Sequence, residues 1–456
     1  MGQTLNDFDS RYFNRQMIKI TIPVMLQQMV SVCLNLVDTV MVGKISEDAL
    51  AAVGAANQIY YIYSVVAYGI FSGAAVYAVQ FWGVRDLVKL RKILGIDYMV
   101  CIAVTVPTIM LALFFGPQLI DLFTESQVVI DYGVDYLSIA CFSYLFSGLS
   151  FVVTYNSRSV AILKVPTTIS CIAVAMNIVL NYLLIYGKFG FPEMGVRGAA
   201  TATLIARIGE LVAMLAYIYV FSKEHTLKAK LSEMINVEKD LFINVMKTAW
   251  PVIFNEGLWA VSNAIVFAIY GVISAAALAI VQIAQTVTEV FQTLYTGMGN
   301  ASTVLIGQAL GQGNKDLAYT YAIKVFKLTF YFNLVTMSLL ALAIVPMAKI
   351  YDFNPETTDL LIKSLFVFTI AQLPKMFVYV QVCGILRAGG DTMYCLILEV
   401  IFNFCMQVAL AYLAVIVLEL PLQWAIAVVM LAEVSKAIVC FHRVVSKKWM
   451  NVFTGR

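Results

Sequence analysis

Twelve stretches of mostly apolar residues run through this chain, near 17–42, 50–82, 93–117, 132–157, 165–187, 198–221, 245–270, 276–311, 320–347, 360–387, 393–417 and 421–445. A bilayer crossing takes about 20 such residues as a helix. Inside hydrocarbon every backbone N–H and C=O must bond internally, so stretches of this length read as spanning helices. The composition agrees: 61% of residues are hydrophobic and 12% charged, against roughly 25% charged in a soluble domain. The expected fold is therefore an all-α polytopic membrane protein with twelve transmembrane helices. The links between stretches hold most charges and the Gly/Pro turns, as in "YGKFGFPEMG" (186–195) and "LRAGGDT" (386–392).

Several function classes fall away. The 8 cysteines all lie in apolar stretches and none forms a CxxC, so they read as small buried residues rather than a disulfide framework. The 2 histidines, His225 and His442, both sit in charged segments, which argues against a histidine metal site. No basic patch is interleaved with aromatics, so no nucleic-acid partner is expected. No cleavable signal peptide is apparent: Arg11, Arg15 and Lys19 precede the first apolar run.

Lys and Arg set the orientation. Of the 30, Lys44, Lys188, Arg197, Lys349 and Lys363 fall in one set of links, while Arg207 and Lys375 lie inside spans. The other 23 fall in the opposite set, together with both termini; among them are Lys223, Arg387, Lys436 and Arg456. Both termini are thus expected in the cytoplasm.

The chain repeats itself. "VGKIS" (42–46) aligns with "YGVIS" (270–274), and "ALAAVGAANQI" (49–59) with "ALAIVQIAQTV" (277–287). Pro23 pairs with Pro251, Asn35 with Asn263, Gln80 with Gln308 and Gly83 with Gly311, all at an offset of 228. Arg158 in "YNSRS" and Arg387 in "GILRA" are 229 apart. An even number of spans per half leaves both halves facing the same way, a parallel repeat about an axis along the membrane normal. The expected organisation is a cytoplasmic terminus (1–16), a six-helix lobe (17–221), a cytoplasmic linker (222–244), a second six-helix lobe (245–445) and a cytoplasmic tail (446–456). Such lobes suit a transporter with a cavity between bundles.

Charges inside the membrane are costly, about 2.5–3.5 kcal/mol each at the midplane, so each needs a partner or a wet cavity. Asp38 lies roughly 28 Å above Lys19 at helical rise, in the outer half. Asn177 and Asn181 lie roughly 20 and 26 Å above Lys164 and share one helix face at i, i+4. The next span enters at Gly198, which brings Thr201 and Thr203 near the same level. One carboxylate, two amides and a hydroxyl make an all-oxygen set suited to a hard cation such as Na⁺, or to a proton held on the carboxylate. The repeat mate of Asp38 is Val266, so the set belongs to the first lobe. The second lobe has Glu256, Lys375 and Glu399, at depths of roughly 14, 18 and 12 Å above their inner ends. That permits a Glu256–Lys375–Glu399 cluster, either an ion pair fixing helix register or a second coupling or substrate site. Arg207 and Glu210 read as a structural pair, and Asp97 and Glu433 as residues reaching a polar edge. Pro23 and Pro251 each remove a helix hydrogen bond near the start of their spans, where a bend is expected.

"LNLVDTVMVGKISEDALAAVG" (34–54), "NIVLNYLLIYG" (177–187), "GQALGQGN" (307–314) and "GILRAGGDT" (384–392) resemble the multidrug and toxic compound extrusion (MATE) family, bacterial type, from about Arg15 to Arg443. The resemblance implies two six-helix lobes around a central cavity, and exchange of amphipathic or cationic compounds for Na⁺ or H⁺. It also implies a helix-1 Asp working with an Asn-x₃-Asn or Asn-x₃-Asp pair and a Thr. Asp38, Asn177 and Asn181 match those positions, and the Thr is Thr201 or Thr203. A secondary antiporter without a resident cofactor is the expected function, working by alternating access as a monomer on small-molecule substrates. Its cavity wall is expected to be aromatic and Met-rich. Two rivals remain. A flippase for a lipid-linked precursor would want several cavity cations, and only Arg207 and Lys375 are intramembrane bases. A membrane-embedded enzyme would need a nucleophile–base or metal constellation, and no HxxxH, HExxH or GxSxG occurs.

Overall fold

A computed structural model describes residues 10–222, 224–349 and 353–454. Lys223, Arg456 and the first nine residues of the 1–16 terminus lie outside the described residues. The described chain is helical nearly throughout. Its helices are α1 (Ser10–Gly43), α2 (Glu47–Gly83), α3 (Leu87–Phe114), α4 (Gly116–Asp121), α5 (Gln127–Ser159), α6 (Lys164–Tyr186), α7 (Gly195–Ala216), α8 (Leu231–Ile235), α9 (Lys239–Gly271), α10 (Ala275–Gly311), α11 (Lys315–Ala348), α12 (Pro355–Val380), α13 (Thr392–Leu398), α14 (Val408–Tyr412) and α15 (Leu422–Val445). Widened π-helical turns continue α7 (Tyr217–Phe221) and α12 (Gln381–Leu386), and join α13 to α14 (Glu399–Gln407).

Eleven of these helical runs among the described residues are long and apolar enough to cross a membrane. The remaining predicted span, 276–311, is α10. It is as long as α2, at 37 residues, but Gln282, Gln285, Glu289, Gln292 and Asn300 dilute its apolar character.

The repeat is written into the helix starts. Ser46 caps α2 by accepting from the Ala49 N–H at 3.0 Å, and Ser274 caps α10 by accepting from Ala277 at 3.0 Å. Asp86 caps α3 through Lys89 N–H at 3.0 Å, and Asn314 caps α11 through Leu317 N–H at 2.9 Å. Short polar side chains satisfy amides that a helix start leaves unpaired. Removing one such cap costs about 1 kcal/mol. Ser46→Ala is expected to destabilise the protein by about 1 kcal/mol, read as a lower thermal midpoint in detergent, without changing the helix content read by circular dichroism.

Two compact units result, residues 26–249 and residues 250–456 together with 1–25. They are cut within α1 and α9 rather than between helices, close to Pro23 and Pro251, which both lie inside continuous helix. In the 26–249 unit, α5 packs on α2, α3 and α7, and α6 packs on α7. In the other unit, α12 packs on α10, α11 and α15. Small residues allow these close approaches, as hydrocarbon supplies no hydrophobic drive between helices. Gly198 is one such case: a Cβ there would lie 2.5 Å from the Leu184 carbonyl oxygen. Its absence lets α7 start hard against the end of α6.

Candidate functional site

In the 26–249 unit, α1, α2, α5, α6 and α7 line a cavity of about 610 Å³. Asp38, Asn177 and Thr203 of the predicted set form its polar floor. Asn177 and Asn181, one turn apart on α6, are both buried. Asn181 Nδ2 donates to Asp38 Oδ1 at 2.5 Å, while Asn181 Oδ1 is buried without a partner. Amide oxygen and nitrogen are assigned by their neighbours. With its nitrogen toward Thr203 Oγ1 (3.2 Å), Asn177 accepts from Asn181 Nδ2 at 3.2 Å. With its oxygen toward Thr203, its nitrogen lies 3.3 Å from Asp38 Oδ1. In both orientations Asn177 links the Asp38 side of the set to Thr203.

Thr201 does not join them. Its hydroxyl donates to the Arg197 carbonyl at 2.8 Å. Residues two apart on a helix point about 200° apart, so only one of the two threonines faces α6. Thr203→Val is expected to weaken coupling in an efflux assay, and Thr201→Val to leave it unchanged.

A second polar tier lies beside this set. Arg158 donates to Gln27 Oε1 (2.7 Å), Gln27 to Ser170 (3.2 Å), Ser170 to Glu210 (2.7 Å) and Arg207 to Glu210 (2.8 Å). This chain ties α5, α1, α6 and α7 together. Arg207 and Glu210 form the structural pair that their i, i+3 spacing suggests. Above the floor the wall is aromatic, with Tyr60, Tyr61, Tyr136 and Tyr144. The Tyr60 and Tyr144 rings lie 5.2 Å apart. No methionine is among the lining residues, so the expected Met-rich wall is absent here. Phenol rings provide apolar area with a hydrogen-bonding tip instead.

In the other unit, Glu256, Lys375 and Glu399 do line one small cavity, of about 70 Å³. They are not paired with each other. Glu256 is ion-paired with Arg387, and Glu399 with Lys436 at 2.7 Å. Lys436 also donates to Asn403 (2.9 Å), and Asn255 bridges Arg387 (3.1 Å) and Glu399 (3.4 Å). Counting links had placed Arg387 and Lys436 at an inner face. The structure instead buries both, Lys436 in the middle of α15 and Arg387 at the end of a π-helical turn. The repeat carried the missed signal. Gln27 and Asn255 are repeat mates, and each accepts from the arginine of its own half, Arg158 or Arg387. Lys375 and Glu433 line the same cavity without an ion pair or hydrogen bond among the described residues. Asp97, expected at a polar edge, is buried and accepts from Asn156 at 2.7 Å.

Comparison with known proteins gives the same picture. The MatE family pattern matches residues 23–183 and again 251–413, two matches that start one repeat offset apart. A probable multidrug resistance protein NorM of Thermotoga maritima is 25% identical, with 90% of this chain and 87% of that protein covered. The uncharacterized transporter YisQ of Bacillus subtilis is 25% identical over 87% of this chain and 86% of its own. The chain spans 63% of the length of a probable NorM of Bradyrhizobium diazoefficiens, at 26% identity. A solved MATE structure in the bent conformation superposes with a TM-score of 0.87 at 18% identity, covering 96% of both chains. A MOP superfamily transporter from Pyrococcus furiosus superposes at 0.84 and 19%, over 96% of this chain and 97% of that one. Family and fold set aside a membrane-embedded enzyme. An all-α multi-pass membrane protein built as two six-helix repeats, with its family pattern present in both, belongs to the MatE family.

Proposed function

We propose that this protein is a secondary antiporter of the bacterial inner membrane, exporting amphipathic or cationic small molecules in exchange for Na⁺ or H⁺ by alternating access. One observation carries the reading: Asp38, Asn177 and Thr203 form the polar floor of a tyrosine-walled cavity, and the buried Asn181 donates to Asp38. The unpartnered Asn181 Oδ1 and the reversible Asn177 amide give a cation oxygen ligands beside the carboxylate. A proton instead sits on Asp38 itself. Either ion neutralises the carboxylate, changes the bonds that hold α6 against α1, and so favours one conformation over the other. Ion entry from outside is helped by the membrane potential, about 2.3 kcal/mol per charge per 100 mV. Both termini lie in the cytoplasm, and the transporter works as a monomer.

A flippase for a large anionic lipid would want several free cations in this cavity. Arg207 is the one base among its lining residues, and Glu210 neutralises it.

The test is export of a fluorescent organic cation from proteoliposomes under an imposed Na⁺ gradient and then an imposed pH gradient. Uptake or release that follows one of these gradients supports antiport. Movement indifferent to both removes the reading.

A further inference from the structure

A second pocket, of about 480 Å³, opens where α2 ends, α3 begins and the chain leaves α7. It shares no lining residue with the Asp38 cavity. Arg85, Arg91 and Lys228 line it, against one carboxylate, Glu224. Trp82 completes a wall, with the Arg85 guanidinium stacked 3.7 Å from its ring centroid.

Two donors in this wall point to an acceptor. His225 is 5% exposed, and its Nδ1 accepts from the Leu227 N–H at 3.2 Å. That bond fixes the tautomer, so the ring proton sits on Nε2. Burial also lowers the His225 pKa from its ordinary value. Nε2 is nevertheless buried with no partner. Arg91 is ion-paired with Glu233 at 3.3 Å, yet its Nε is likewise buried and unpartnered. Buried donors left unmade cost about 1–3 kcal/mol each.

The backbone adds a third sign. Arg85 holds a left-handed φ of 59°. Its repeat mate at the same turn is Gly313, with φ 75°. Glycine takes that conformation without a steric cost, whereas a side chain costs roughly 1–2 kcal/mol there.

We propose that this pocket is a phosphate-binding site, in which Arg85, Arg91 and Lys228 face the anion and His225 Nε2–H donates to one of its oxygens. The phosphate is that of a lipid headgroup or one free in solution. Guanidinium and ammonium groups make charge-assisted bonds to phosphate oxygens, and the pocket is far larger than a lone phosphate. Its place at the ends of three spanning helices puts it at headgroup level.

The experiment uses delipidated full-length protein in detergent, wild type and Arg85→Gly/Lys228→Gln. Gly313 shows that the turn accepts glycine, and both replaced residues sit on the pocket rim. Binding of inorganic phosphate is measured by equilibrium dialysis, and of phosphatidic acid against phosphatidylcholine by native mass spectrometry. In parallel, the Nε2 nitrogen resonance of His225 is followed in a His442→Gln background, where it is the single histidine. The expected result is saturable binding of one probe or both, weaker by about tenfold or more in the double variant, and a shift of the Nε2 resonance on binding. Inorganic phosphate alone assigns the site to free phosphate, phosphatidic acid alone to a headgroup. Equal binding by the double variant, no preference over phosphatidylcholine together with no phosphate binding, or an unmoved Nε2 resonance overturns the proposal.

Discussion

Asp38→Asn is expected to cut gradient-driven efflux by roughly tenfold or more, while the protein still inserts and folds. The first half follows from linkage. An ion drives a conformational change only through a difference in affinity between two states, and one that binds both equally shifts nothing. Asp38 is the sole carboxylate in the floor of its cavity, and asparagine neither holds a proton there nor pairs a cation's charge. Insertion is not harmed, because a membrane charge worth about 2.5–3.5 kcal/mol is removed. Asn181 keeps a partner, since its amide can bond the new one as it bonded Asp38 Oδ1. The check is efflux by the purified variant under both gradients, beside its thermal midpoint. Undiminished gradient-driven efflux would sink the coupling role.

Lys436→Met has the next largest expected effect, and it falls on stability. Lys436 and Glu399 are buried on both sides of their 2.7 Å pair. Removing one partner of such a pair strands a charge in a dry interior, at a cost of about 3–5 kcal/mol. The double variant Lys436→Met/Glu399→Gln leaves no stranded charge and is expected to regain most of that loss. Thermal melts in detergent compare the three proteins. If the double variant melts with the single one, the pair is not the source of the cost. If it melts near wild type but transports poorly, these groups serve ion or substrate movement as well as helix register.

Much of this was legible in the sequence because membrane physics is restrictive. A long apolar run has one fate, so the spans were readable from hydropathy alone. The Asp38 set was readable because three simple rules converge on it: helical rise, i, i+4 spacing and the cost of a buried charge. The repeat was readable because Pro, Asn, Gln and Gly matched at a single offset, and the capping bonds of Ser46 and Ser274 show the same offset in space. What failed did so for local reasons. Depth along a helix does not give its rotation, so Thr201 and Thr203 stayed equivalent until α7 was placed. Lys436 was counted with a link because a run of apolar residues hides one long cation whose partner comes from elsewhere. The π-helical turns at Gln381–Leu386 and Glu399–Gln407 leave no mark in hydropathy. Each rotates the residues that follow it, and so the first of them decides that Arg387 reaches Asn255 and Glu256.

The cut within α1 has a consequence for the order of synthesis. Residues 10–25 emerge first, but their partners come late: Lys324 donates to the Ser10 carbonyl at 3.2 Å across 314 residues, and Phe13 packs on Tyr321. At about 5–20 residues per second, that segment waits roughly 15–60 s for them. The 26–249 unit, by contrast, is complete once Ala249 has been made. The polypeptide therefore closes its second-starting unit first, and turns 10–25 wait until Tyr321 and Lys324 have been made. Arrest of translation near residue 290 is expected to leave 26–249 resistant to protease and 10–25 still open to it.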